Sequence, residues 1–289
     1  MDPVRTILPG ESGWPARLST IPEPPERLRV RGALGAPGER RVALVGSRRT
    51  DPYGVDLACE LARGLVRAGV CVGSGGAEGV DAAAHLAALE AGGRTVAVFG
   101  TGLDVAYPAA HRPLFERIVA GGGALVSEYE DGQRGEKWTF PKRNRIVSGL
   151  SEAVVVVRAG AKSGALVTAA WARRQGVPVL AVPGDVREEG SQGPLTLLRQ
   201  GAKMAASAAD VLAAIGMAGQ LELAVDDPAA AVEGDGAVLL GTLGRMPRHA
   251  DELAREAGLG AGAALAGLLE LELRGLCEQR PGHYFLRRT

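Results

Sequence analysis

Aromatic residues are scarce: Phe, Tyr and Trp make up 4% of this 289-residue chain. Ala, Val and Leu must therefore build the core, within a hydrophobic share of 46% that is ample for a substantial one. Cysteine is nearly as rare. Cys59, Cys71 and Cys277 are odd in number and form no CxxC pair, which points to a reduced, cytoplasmic protein rather than a disulfide framework. No apolar run approaches the roughly 18 residues that would cross a bilayer. The start Met1-Asp2-Pro3 lacks the basic and apolar regions of a signal peptide, so no membrane association is expected. Net charge is missing too, with 33 basic and 33 acidic residues. Any binding of nucleic acid must then come from a local basic cluster on a neutral body. Catalytic signatures are also absent: there is no GxxxxGK[ST], no GxSxG and no HExxH, which predicts a protein that is not an enzyme. His85 and His111 have no third metal ligand in view, so capping or hydrogen-bonding roles are expected, with neither metal nor cofactor.

Glycine, by contrast, is abundant at 42 residues, implying many tight turns. Short apolar runs recur at Val42–Gly46, Val70–Gly73, Thr95–Phe99, Ala124–Ser127, Ala153–Val157 and Val179–Val182. Several lack polar alternation, as strands covered on both faces do. Helical patterns separate them at Asp56–Ala68, Asp81–Ala91, Arg112–Ala120, Ala165–Gln175 and Pro194–Gln200. Strands and helices at this spacing predict βαβ units: an α/β, Rossmann-like, doubly wound and mostly parallel sheet. Ligands of such sheets bind at the turns that follow the strands. Residues 1–40, rich in Pro and Arg, read as an N-terminal arm with one short strand near Leu28–Val30. The Rossmann-like domain is expected over 41–215, a linker over 216–235 and a small C-terminal winged-helix domain over 236–289. The last would comprise helices at Val238–Leu243, His249–Ala257 and Ala263–Arg274 and a hairpin turning at Pro281-Gly282.

Five turns on the expected sheet edge suit phosphate. After the first strand, Gly46 allows a sharp turn, Ser47 offers a hydroxyl and Arg48 a guanidinium fork. Gly73-Ser74-Gly75-Gly76-Ala77-Glu78-Gly79 places several glycines where a helix starts, a cradle of backbone amides. It follows the second strand rather than the first, and no acid ends the next strand, so a nicotinamide cofactor is not indicated. Lys137-Trp138-Thr139-Phe140-Pro141-Lys142-Arg143-Asn144-Arg145 holds four cations and two aromatics in nine residues, with no acid. It reads as a basic loop in which cations neutralise phosphates and an aromatic face stacks an unpaired base. Lys162-Ser163-Gly164 opens a helix, and Gly184-Asp185 with Ser191-Gln192-Gly193-Pro194 adds a last turn of the same kind. The predicted DNA-binding residues are Gly46, Ser47, Arg48, Gly75, Gly76, Phe140, Lys142, Arg143, Asn144, Lys162, Ser163 and Gly164.

Taken in order, VALVGSRRTDPYG, SGGAEGVDAAAH, TVAVFGTGLDVAYP, LVSEY, FPKRNRIVSGLS, SGALVTAAWA and VLAVPGD resemble the DNA-processing protein A (DprA, or Smf) family over roughly residues 15–212. The resemblance implies an extended Rossmann-like fold that binds single-stranded DNA with little sequence preference, and a homodimer. It also implies a role in natural transformation, in which incoming DNA is protected and the recombinase RecA is loaded onto it. Many members begin with a helical domain, whereas here about 40 residues precede the first strong strand. Three positions depart from the family pattern. Glu78 stands where SGGARGID has Arg, Arg158 where an acid is common, and Gly193-Pro194-Leu195 where the family carries an Asn. An ion pair between Glu78 and Arg158 would account for the first two. The presumed recognition helix, Ala263–Leu273, carries Ala, Gly, Leu and Glu with Arg274 only at its end. Major-groove readers need Arg, Lys, Asn or Gln there, so a protein-contact or weak accessory role is expected.

Two rival readings have their own signatures. A nucleotide phosphoribohydrolase of the lysine-decarboxylase-like group would carry PGGxGT with a downstream Glu, where this chain has SGGAEG. A winged-helix regulator with a ligand-sensing Rossmann domain would carry a basic recognition helix.

Overall fold

The structure is a computed structural model that describes residues 3–218, 232–244 and 246–287. The chain divides into two compact units between residues 224 and 225. Most of the expected linker at 216–235 lies outside the described residues.

The first unit is built on a nine-stranded sheet. Its strands are β1 (Arg5–Ile7), β2 (Leu28–Gly32), β3 (Arg41–Val45), β4 (Cys71–Ser74), β5 (Thr95–Val98), β6 (Ala124–Ser127), β7 (Ala153–Val156), β8 (Val179–Ala181) and β9 (Lys203–Met204), in the order β1-β2-β6-β5-β4-β3-β7-β8-β9. From β6 to β9 all pairings are parallel. β3 to β7 are buried residue by residue, because helices cover both faces. Two cores result. One packs β3 and β7 against α1 (Pro52–Arg67) and α2 (Val80–Glu90) through residues such as Leu44, Leu61, Leu65 and Val155. The other lies beneath α4 (Thr139–Gly149) and α5 (Gly164–Arg174) through Val45, Ile146, Val154 and Ala169. α3 (Arg112–Ala120) closes a smaller cluster around Phe99 and Phe115.

Three elements differ from the sequence reading. The strand expected near Leu28–Val30 is β2, but the described residues from Pro3 to Arg40 do more than form an arm: they extend the sheet. β1 pairs antiparallel with β2, and β2 with β6, while Leu18, Leu28 and Val30 are completely buried. The stretch 139–145 is not a loop: α4 starts at Thr139, with Pro141 in its first turn, where a missing amide leaves no helical bond unmade. Finally, α6 spans Glu189–Arg199 and carries Pro194 inside it, so the helix begins upstream of the predicted start. A helical proline normally orphans the carbonyl four residues back. Here that carbonyl, on Gly190, accepts instead from the Ala159 amide at 2.7 Å, and Gly193 N donates back to Ala159 O at 2.8 Å. The loop after β7 thus supplies the bond that Pro194 cannot. A short α7 (Ala208–Ala214) completes the unit.

The second unit is a three-helix winged helix. It contains α8 (Asp235–Thr242), β10 (Arg248–His249), α9 (Ala250–Ala257), α10 (Ala261–Leu273), β11 (Cys277–Arg280) and β12 (Tyr284–Arg287), around Leu239, Leu253, Leu268 and Phe285. At the end of α10, Arg274 is engaged by Glu270 at 2.6 Å.

Candidate nucleic-acid interface

Doubly wound sheets open a crevice where neighbouring strands send their connections to opposite faces. That point lies here between β3 and β7. The loops leaving them are tied by Ser47 N donating to Arg158 O at 2.7 Å, and beside them opens a cleft of about 750 Å³. Its walls include Gly46, Ser47, Arg48, Gly75, Phe140, Arg143, Asn144, Lys162, Ser163 and Gly164, ten of the twelve predicted residues. The two outside are Gly76 and Lys142. Gly76 turns away, its carbonyl 3.1 Å from His111 Nδ1. Lys142 is exposed on α4 with its ammonium 5.9 Å over the Trp138 ring.

The glycine turn proves to be filled from within. Gly75 N and Ala77 N donate to the Asp81 carboxylate at 3.1 and 3.3 Å, so the amides that looked free for a phosphate already hold an internal anion. The turn is closely packed. Gly79 has φ +74°, and a Cβ there would land on the carbonyl oxygens of Ser47 and Arg48. Glycine is therefore required where α2 starts against the first turn.

Arg143, expected to face phosphate, is 6% exposed. Its Nη1 donates to Gly75 O at 2.7 Å and to Val98 O, and its Nε donates to Asn144 Oδ1 at 3.2 Å. Burial pushes its pKa down to about 10 against the opposing pull of Asp81. Burial likewise pushes the Asp81 carboxyl up, while Arg143 and the turn amides hold it down. Arg143 therefore positions the glycine turn against the end of β5. Asn144 Nδ2 donates onward to Gly164 O at 3.3 Å, joining α4 to the start of α5. Arg145 is also internal: it meets Glu128 through two bonds of 2.8 and 2.5 Å. Of the four cations in the 137–145 run, only Lys137 and Lys142 face solvent. The basic run does not reveal this, because a helix turns successive residues to different faces.

What remains open to a ligand is a set of exposed cations on the cleft walls: Arg48, Arg49, Lys137 and Lys162. At the start of α5, Ser163 caps Ala165 N at 3.3 Å, and nothing lies within 4 Å of a Cβ at Gly164. This leaves a helix N-terminus facing open space, favourable to anions. Arg49 was not singled out from the sequence, and Lys137 was counted within the basic run but not among the twelve predicted contacts. Tyr107 was not singled out either; its ring lies 5.0 Å from that of Phe140. The Arg48 guanidinium sits 5.6 Å over Phe140 and 5.9 Å over Tyr107.

The expected Glu78–Arg158 pair does not form. Arg158 instead binds the Asp51 carboxylate at the start of α1 and donates to Ser191 Oγ at 2.5 Å, with Tyr53 5.5 Å from its guanidinium. It locks α1 to α6 behind the cleft. The two histidines are hydrogen-bonded. Thr95 Oγ1 donates to Val72 O at 2.7 Å, so it must accept from His85 Nδ1 at 2.6 Å. Burial lowers the His85 pKa from 6.5 to about 3. Below pH 6.5 the unfolded chain takes up a proton that the folded chain does not, so stability falls as the pH falls. A loss of about 2 kcal/mol is expected between roughly pH 7.5 and 5. In urea titrations at both pH values, His85→Gln should flatten that dependence.

Comparisons with known proteins place the chain in a family. A family model described as DNA recombination-mediator protein A matches residues 5–216, and one described as DprA winged helix domain matches residues 224–283. The chain is 40% identical over 302 residues to a putative DNA processing protein DprA of Mycobacterium tuberculosis (strain CDC 1551 / Oshkosh), covering 99% of this chain and 77% of that one. It is 41% identical over 200 residues to DNA processing protein DprA of Streptococcus pneumoniae, covering 69% and 70%. The X-ray structure of the Streptococcus pneumoniae protein superimposes with a TM-score of 0.67 at 37% identity, covering 73% of this chain and 74% of that one. DNA processing protein A of Helicobacter pylori, whose structure was described for its single-stranded DNA binding mode, superimposes with a TM-score of 0.64 at 29% identity, covering 74% and 97%. With a cleft at the sheet's switch point and matches that span both units, the chain belongs to the DNA processing protein A family.

Proposed function

We propose that this protein binds single-stranded DNA in the cleft between β3 and β7, and that it acts by binding rather than by catalysis. One observation carries the reading. Arg48, Arg49, Lys137 and Lys162 line the cleft together with the open N-terminus of α5 and Phe140, whose ring packs against that of Tyr107, on a chain of zero net charge. Cations follow a phosphate backbone and aromatic faces accept unpaired bases, a combination suited to single strands of any sequence. In support of a non-catalytic role, burial pushes all three thiols up and away from the reactive thiolate. Among the described residues no helix is long and apolar enough to cross a membrane.

The same reading extends to partners. A recombination mediator must pass its strand on, so RecA is the proposed recipient, a homodimer the working unit and natural transformation the setting. The DNA-contacting set is proposed as Gly46, Ser47, Arg48, Phe140, Lys162, Ser163 and Gly164, with Arg143, Asn144, Gly75 and Gly76 shaping it. Lys142 meets the strand only where it runs past Trp138.

The test is anisotropy of a labelled dT20 oligonucleotide over a salt range. Arg48→Ala with Lys162→Ala should weaken binding about 100-fold at low salt. Each cation removed should lower the slope of log K against log salt by about 0.7. An unchanged affinity in the double variant refutes the site.

A further inference from the structure

Phe140 is the aromatic that the sequence marks for base stacking, yet its ring is largely enclosed. A Cβ on Gly100 would lie 2.7 Å from Phe140 Cδ1, and one on Gly135 would lie 2.5 Å from Phe140 Cζ. These two glycines form a slot that grips the ring, leaving it half-buried. Tyr107 packs beside it at 5.0 Å with the planes tilted by 40°, and Tyr107 is 47% exposed. Arg48 lies within 6 Å of both rings, so the phosphate-suited guanidinium and the exposed ring are held as one unit.

We infer that Tyr107 is a base-stacking surface at the edge of this cleft, with Phe140 as its anchor, so that a base stacks on Tyr107 while Arg48 takes the neighbouring phosphate. The chemistry supports this division. A stacking ring needs a free face of its own, and a base–aromatic stack tolerates any base because every base has a π-face. A ring seated in a slot contributes rigidity instead. Tyr107 stands in the loop after β5, outside the basic run, which is why charge-and-aromatic patterning does not single it out. The inference rests on the proposed single-strand binding, and the experiment separates the two.

The experiment compares dT20 with a 20-nucleotide abasic oligonucleotide that keeps the phosphates and lacks the bases. Tyr107→Leu keeps apolar bulk but removes the ring. It should weaken dT20 binding roughly tenfold and leave abasic binding within about twofold, and Tyr107→Phe should restore dT20 affinity. Because the residue is half-exposed, the thermal midpoint of Tyr107→Leu should match the wild type. Equal losses on both oligonucleotides would assign Tyr107 a purely structural role and overturn the inference, as would no loss on either. If the wild type binds neither oligonucleotide, the single-strand reading itself fails and takes this inference with it.

Discussion

Arg143→Met is expected to lower folding stability by about 2–4 kcal/mol, because it leaves two buried carbonyls without this donor. The guanidinium is 6% exposed and holds the carbonyls of Gly75 and Val98. Without it those carbonyls lose their donor and Asp81, itself 6% exposed, loses the positive charge that offsets its burial. An orphaned buried polar group costs about 1–3 kcal/mol by itself. The glycine turn should then loosen, and binding should fall as a consequence. Arg48→Ala should behave in the opposite way, weakening DNA binding while moving stability by less than about 0.5 kcal/mol, because the side chain is exposed. Urea denaturation followed by circular dichroism distinguishes the two. Should Arg143→Met unfold like the wild type and lose only binding, Arg143 is a phosphate ligand after all.

The second large effect lies beneath the same helix. Arg145 and Glu128 are 2% and 10% exposed along their side chains and share two hydrogen bonds. Arg145 also donates to Glu23 O at 2.7 Å and to Lys142 O at 3.0 Å. Arg145→Met should cost about 3–5 kcal/mol, because it leaves a largely buried carboxylate without its cation. Replacing both partners, Arg145→Met with Glu128→Leu, should recover at least half of that loss, since the stranded charge is then gone. The midpoints of the three variants measure this directly. A double variant no better than the single would mean that the carbonyls of Glu23 and Lys142, not Glu128, hold Arg145 in place.

Both predictions concern residues whose motif was legible but whose orientation was not. FPKRNR was visible as a basic run, and its six residues lie in one helix. A helix sends Arg143 to the glycine turn, Arg145 to Glu128 and Lys142 to solvent. The sequence holds nothing to announce this, because the helix carries apolar periodicity only from Ile146 onward. The glycine turn is a similar case. Asp81 was read as an ordinary member of the following helix, whereas its side chain folds back onto the amides of Gly75 and Ala77. In the Pro- and Arg-rich start only the strand near Leu28–Val30 was legible; β1 and the pairing of β2 with β6, which turns Leu28 and Val30 inward, were not.

The strands of the first unit needed no such help. Unbroken runs such as Val42-Ala43-Leu44-Val45 and Ala153-Val154-Val155-Val156 can be stable only between two covered faces, so composition by itself dictated a parallel, doubly wound sheet and its ligand edge. The glycines at the turns dictated where the backbone would bend, and ten of the twelve residues named from motifs meet in one cleft. Tertiary structure alone decided which cations remain available to a ligand. Charge is a property of the residue, whereas availability depends on which carboxylate or carbonyl lies within about 3 Å. For Arg143, Arg145 and Arg158 those partners come from Val98, Glu128 and Asp51, each well separated along the chain. Tyr107 shows the same limit from the other side. Its ring meets Phe140 and Arg48 only because the loops after β3 and β5 and the start of α4 converge at one end of the sheet.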